Sequence, residues 1–128
     1  MDKTKGKILE IFKDVRLKMK KKFIVSAWNN GRHHPTGAGY GIKIKIKDRN
    51  AYFDEKWKHV ILILEGRYGE IRINIDKDSF WDPVCRELCH REIGIWLRDN
   101  FEIPWKKGRP YKLAMEHIID NRFSIKRK

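Results

Sequence analysis

The chain has 128 residues, of which 41% are hydrophobic and 37% charged, and 30 Lys/Arg against 17 Asp/Glu give a formal net charge of +13. That much apolar material excludes global disorder and suits one domain of ordinary size. No apolar run approaches the ~18 residues of a membrane span. The positive excess favours a polyanionic partner, and nucleic acid is the usual one.

The charge is uneven. Residues 1–22 hold nine Lys/Arg and three Asp/Glu, residues 105–128 hold eight and two, and residues 23–104 hold thirteen and twelve. The excess therefore sits at the two ends. There is no Gln, with two Thr and three Ser. Few thermolabile amides among many charges make a thermophile-like composition, although six Asn remain. Two cysteines make no disulfide framework, so a reducing compartment is expected. The N-terminus lacks the apolar core of a secretory signal, and the expected location is cytoplasmic.

Residues 5–22 read as a helix, with Ile8, Ile11, Phe12, Val15 and Met19 on one face and lysines largely elsewhere. The expected organisation is this basic amphipathic segment, 1–22, followed by a core domain over 23–128. Residues 23–28 read as a buried strand. A polar, glycine-rich loop follows over 29–41. From Gly41 to Lys47 isoleucine and lysine alternate strictly. A strand there would send Ile42, Ile44 and Ile46 to a dry side, and Lys43, Lys45 and Lys47 to the other, ~6.6 Å apart. Residues 48–58 read as a turn or short helix whose aromatics Tyr52, Phe53 and Trp57 plug the sheet edge. Residues 59–64 suit a central strand. Gly66-Arg67-Tyr68-Gly69 reads as a hairpin turn, and Ile71, Ile73 and Ile75 alternate with Arg72, Asn74 and Asp76.

Asp82-Pro83 has the chemistry of a helix start, and the apolar stripe from Val84 to Leu97 predicts a long helix over 82–99. Gly94 inside it hints at close packing against the sheet. Period-two patterning over 111–125, broken at Asp120-Asn121, predicts a final hairpin, with a short helix over 112–119 as the alternative. The expected fold class is α+β: one domain, a mostly antiparallel sheet of five to six strands backed by the 82–99 helix, and the N-terminal helix docked at an edge or on a partner.

The 29–41 loop is the leading site candidate. It offers Arg32, His33, His34 and backbone N–H groups that would cradle phosphate. It matches neither a P-loop nor a dinucleotide fingerprint. A metal-independent nuclease would use His33 and His34 as base and acid, with Arg32 or a strand lysine near the phosphate. Trp105, Lys106, Lys107, Arg109 and Lys112 interleave aromatics with cations, as stacking plus phosphate pairing requires. Cys85, Cys89 and His90 do not converge on a helix, so no metal site is expected, and no cofactor.

The strings Ser79-Phe80-Trp81, Cys85-Arg86-Glu87-Leu88, Glu92-Ile93-Gly94-Ile95-Trp96-Leu97 and Pro104-Trp105-Lys106-Lys107-Gly108-Arg109-Pro110 are similar to parts of short uncharacterised proteins. That resemblance implies no activity and transfers no residue role. The residues themselves point first to a non-enzymatic DNA- or RNA-binding protein that works electrostatically through Lys43, Lys45, Lys47, Arg72 and the 105–112 loop, with Arg32 and the histidines nearby. The alternatives are the nuclease and a protein-interaction subunit that forms a homodimer through its N-terminal helix.

Overall fold

Short apolar, β-branched runs whose alternate side chains are buried build most of the sheet. A computed structural model describes residues 21–67 and 69–128. In chain order these form β1 (Lys21–Asn29), β2 (Tyr40–Lys43), α1 (Ile46–Tyr52), β3 (His59–Leu64), β4 (Ile71–Asn74), α2 (Asp78–Trp81), β5 (Glu87–Cys89), α3 (Arg91–Asn100), β6 (Lys112–Ile119) and β7 (Arg122–Arg127). The strand order is β4-β3-β7-β6-β1-β2-β5. β3 and β7 pair in parallel and the other neighbours are antiparallel. The edge strands β4 and β5 approach each other, so the sheet curls into a nearly closed barrel.

Side chains of one parity fill it. Val25, Leu62, Ile73, Leu113, Met115, Phe123 and Ile125 are buried, and each full burial contributes about 1.5–3 kcal/mol. Aromatic rings close one region of the interior. Phe53 stacks on Phe123 at 4.6 Å, Phe23 on Tyr52 at 4.7 Å, and Phe80 meets Phe53 edge-on at 5.3 Å. The aromatics after the Ile/Lys run thus pack on the interior strands β7 and β1 rather than plugging a sheet edge, the placement expected from sequence.

The fold class differs from the expectation. The sheet has seven strands and mixed pairing, not five to six mostly antiparallel ones, and no helix spans 82–99. The reason lies at Asp82. Its Oδ1 accepts from the Val84 and Cys85 N–H groups at 2.8 and 2.5 Å, which closes a tight turn. Arg86 then adopts φ 61°, a left-handed conformation that stops a helix. Its N–H bonds the Ser79 carbonyl, its carbonyl accepts from Ile44 N–H, and its Nε donates to the Ile44 carbonyl. The chain is thereby steered into β5, which pairs with β2 and buries Leu88. The helix waits until Arg91.

The Ile/Lys run is likewise cut short. β2 ends at Lys43, Lys45 becomes the N-cap of α1, and Lys47 lies within α1. Ile46, expected on the dry side, is 42% exposed. What outcompetes the strand is Arg49. Its buried guanidinium donates to the carbonyls of Phe80 (3.0 Å) and Asp82 (2.5 Å) and lies 5.5 Å over Trp81. That anchor requires a helical turn at 46–52, and no local periodicity announces it. The three lysines therefore do not form one row. Of the expected N-terminal helix, Lys21 and Lys22 belong to β1, and residues 5–20 lie outside the described residues, as does any dimer contact they would make. No helix of the described residues is long and apolar enough to cross a membrane.

Candidate nucleic-acid interface

Two glycines set the geometry of the candidate site. Gly37 of the loop and Gly94 of α3 touch backbone to backbone. A Cβ on Gly94 would lie 2.0 Å from the Gly37 carbonyl oxygen, and one on Gly37 would lie 2.5 Å from the Gly94 carbonyl. Gly94 thus serves close packing, but against the loop rather than the sheet. On its other side α3 is tied to the β3–β4 turn. Trp96 Nε1 donates to the Glu65 carbonyl at 2.8 Å, and Arg67 bridges Glu92 (2.6 Å) and Asp99 (3.1 Å).

Between the loop and α3 lies a cavity of about 810 Å³, within the range of small-ligand sites. Trp28 forms one wall. It stands on the outer face of β1, in the parity of Ile24 and Ser26, opposite Gly41 of β2. A Cβ on Gly41 would meet the Leu88 carbonyl oxygen at 2.5 Å and the Trp28 ring at 3.4 Å. Glycine there is required by the Leu88 carbonyl, and the indole lies beside it at van der Waals distance. Asn30, Thr36, Tyr40, Cys89, His90, Arg91 and Arg98 supply the polar side chains of the lining, with no carboxylate among them. His90 caps α3: its Nδ1 accepts from Glu92 N–H at 3.0 Å, which leaves the proton on Nε2. Arg91 is exposed with no ionic partner among the described residues, while Arg98 Nε reaches Asp99 at 3.2 Å. A second cavity, about 670 Å³ beside Tyr52 and Trp57, is lined by Asp54, Glu55 and Asp120 together with Lys56 and His117, a predominantly acidic set.

The sequence-predicted residues fall in several places. His33 Nδ1 lies 2.7 Å from the buried Tyr40 hydroxyl, and His34 Nδ1 lies 2.7 Å from Thr36 Oγ1. Each imidazole is engaged by its own neighbour, and neither lines the cavity. The loop N–H groups of Gly31, Arg32, Gly37, Ala38 and Tyr40 bond within the loop or to its flanking Asn29. Those expected to cradle phosphate are therefore largely spent on loop structure. Arg32 is exposed. Trp105 packs edge-on against Tyr40 (5.3 Å) and Tyr111 (6.1 Å), with Lys106, Lys107 and Arg109 exposed around it. Lys43 and Lys112 come together: both are cross-strand partners of Ser26 on the outer face, and Lys112 Nζ donates to Ser26 Oγ at 2.8 Å. Arg72 also points outward, but on β4, with β3, β7, β6 and β1 between it and β2 along the sheet and β5 between them across the nearly closed seam.

Trp28, His90, Arg91 and Arg98 were not reached from sequence. One signal was available. Phe23, Val25 and Ala27 are the buried parity of β1, so Trp28 falls on the polar parity, beside a glycine-rich loop. Among the described residues no group of three or more His, Cys, Asp or Glu side chains could hold a metal ion. The Cys85 thiol is held above its ordinary range, first by its hydrogen bond to Asp82 and then by burial.

Comparison with protein-family models, curated proteins and solved structures finds no match for this chain.

Proposed function

We propose that this protein binds nucleic acid, chiefly through its phosphates. The observation that carries the reading is the state of its lysines. All five ion pairs among the described residues are made by Arg67, Arg98, Arg122 and Arg127, and no lysine takes part. No lysine is thus locked in a close ion pair, although Lys43 faces Glu87 across the β2–β5 pair and Arg98 shares Asp99. Part of the positive charge gathers on one surface, where Lys43 and Lys112 flank Ser26, Trp28 lies two residues along the same face, and Arg91 and Arg98 stand across the cavity.

Polyanion binding of this kind releases counterions, so it weakens with salt. Four phosphate contacts to a single strand give a double-logarithmic slope of about −3, or roughly a 50-fold loss of affinity between about 50 and 200 mM salt. A salt titration of fluorescence anisotropy with labelled DNA and RNA tests this. The paired variant Lys43→Ala/Lys112→Ala makes the slope shallower by about 1.4. Affinity that does not change with salt, or no binding at the lowest salt, rejects the proposal.

A further inference from the structure

Of the five tryptophans, Trp57, Trp81, Trp96 and Trp105 each rest against another aromatic ring. Trp28 has no such neighbour among the described residues, and it is half-buried in the wall of a cavity. A flat apolar surface held in a concavity gains free energy when a planar group covers it. The Thr36 and Tyr40 hydroxyls in the lining are already engaged by His34 and His33, and the principal polar groups left free share one character. Asn30 Oδ1 already accepts from Arg32 N–H, so its amide nitrogen is what it has to offer. His90 presents Nε2–H, because Nδ1 is committed to the cap. Arg91 and Arg98 are donors by nature. The fitting ligand therefore brings a flat face and many acceptors, including anionic ones.

A nucleotide has both: carbonyl and ring-nitrogen acceptors on its base, and phosphate oxygens beyond. We infer that the cavity between the 36–40 loop and α3 takes one unpaired nucleotide, its base against Trp28 and its phosphate toward Arg91 and Arg98. The inference rests on the nucleic-acid reading for its strand form, while a free nucleotide offers the same chemistry. In a duplex the base faces are covered by their neighbours, and extruding one costs a few kcal/mol. The site therefore selects single strands over duplexes.

The test is anisotropy with a short single-stranded oligonucleotide and its duplex at low salt, together with competition by adenosine and uridine monophosphates. The single strand is expected to bind at least ten-fold more tightly than the duplex. Trp28→Ala is expected to lose roughly ten-fold or more for the single strand, the scale of one base–aromatic stack, and little for the duplex. Trp28→Phe keeps a flat ring and retains most of the affinity, and exposed Arg91→Ala provides a variant that leaves the core untouched. Displacement by a monophosphate shows that the free nucleotide is also accepted; strand binding without displacement restricts the site to nucleotides within a strand. Equal affinity for duplex and single strand, with Trp28→Ala and Arg91→Ala both silent, overturns the inference and leaves the electrostatic reading standing. Binding of a monophosphate without any oligonucleotide sinks that reading instead and keeps the pocket.

Discussion

Replacing Gly94 with alanine tests the contact on which the site is built. In an isolated helix this change is favourable by about 1 kcal/mol. Here the new methyl would stand 2.0 Å from the Gly37 carbonyl oxygen and 2.8 Å from its carbon. Ordinary contact is about 3.5 Å, so loop and helix must separate by about 1.5 Å. Neither side yields easily. The contact on the loop side is backbone, and α3 is fixed from behind by Trp96 and Arg67. Overpacking typically costs about 1–3 kcal/mol, and contact between two backbones belongs at the upper end. Subtracting the helical gain leaves a loss of about 2 kcal/mol. Urea denaturation reads it as a midpoint about 1 M lower with an unchanged slope. Gly37→Ala, with φ +87° and a 2.5 Å contact, is expected to lose at least as much. The double variant should lose less than the two together, since one separation relieves both clashes. A Gly94→Ala protein as stable as the parent, or more stable, would refute the account of the loop–helix contact and of the cavity wall derived from it.

Two further outcomes concern the rest of the fold. Phe123 is fully buried and touches Phe53, Phe23, Trp57 and His117; Phe123→Ala is expected to remove about 3–5 kcal/mol by urea denaturation, and a loss under about 1 kcal/mol would contradict its central place. The Val84 and Cys85 N–H groups hold the Asp82 carboxyl below its ordinary range, led by the bond from Cys85. A depressed folded pKa means stabilisation that is present above the unfolded value of about 4 and is lost as pH falls through the folded one. Asp82→Asn keeps the turn acceptor and removes the titration, so its urea midpoint should fall less steeply with acid than the parent's; parallel acid limbs would refute the assignment.

Local pattern and long-range contact divide the legibility of this fold. Strands at 23–28 and 59–64 follow from short apolar β-branched runs, and the strand around 71–75 and the C-terminal hairpin from alternation and turn residues, because neighbours in sequence decide them. The Ile/Lys run misled because Arg49 finds its acceptors more than thirty residues away, a distance no window covers. Asp82-Pro83 misled because a carboxylate that receives two N–H groups starts a tight turn as readily as a helix, and Arg86 decides between them. The site was half-legible for the same reason. The glycine-rich loop is conspicuous in the sequence, whereas Trp28, His90 and Arg91 meet it only once β1, β5 and α3 have been brought together.

The position of β7 has a consequence for how the protein is made. It is the hydrogen-bonded link between the β4-β3 ribbon and the β6-β1-β2-β5 ribbon, and it comes last of the strands. A nascent chain on the ribosome can pair β3 with β4 and β1 with β2 and β5 early, but β6 and then β7 must clear the exit tunnel before the two parts are joined. Until then the edges of β3 and of β1, and later of β6, stay open to strand pairing with other chains. A stop codon near residue 121 should therefore yield an aggregating product rather than a slightly shortened one.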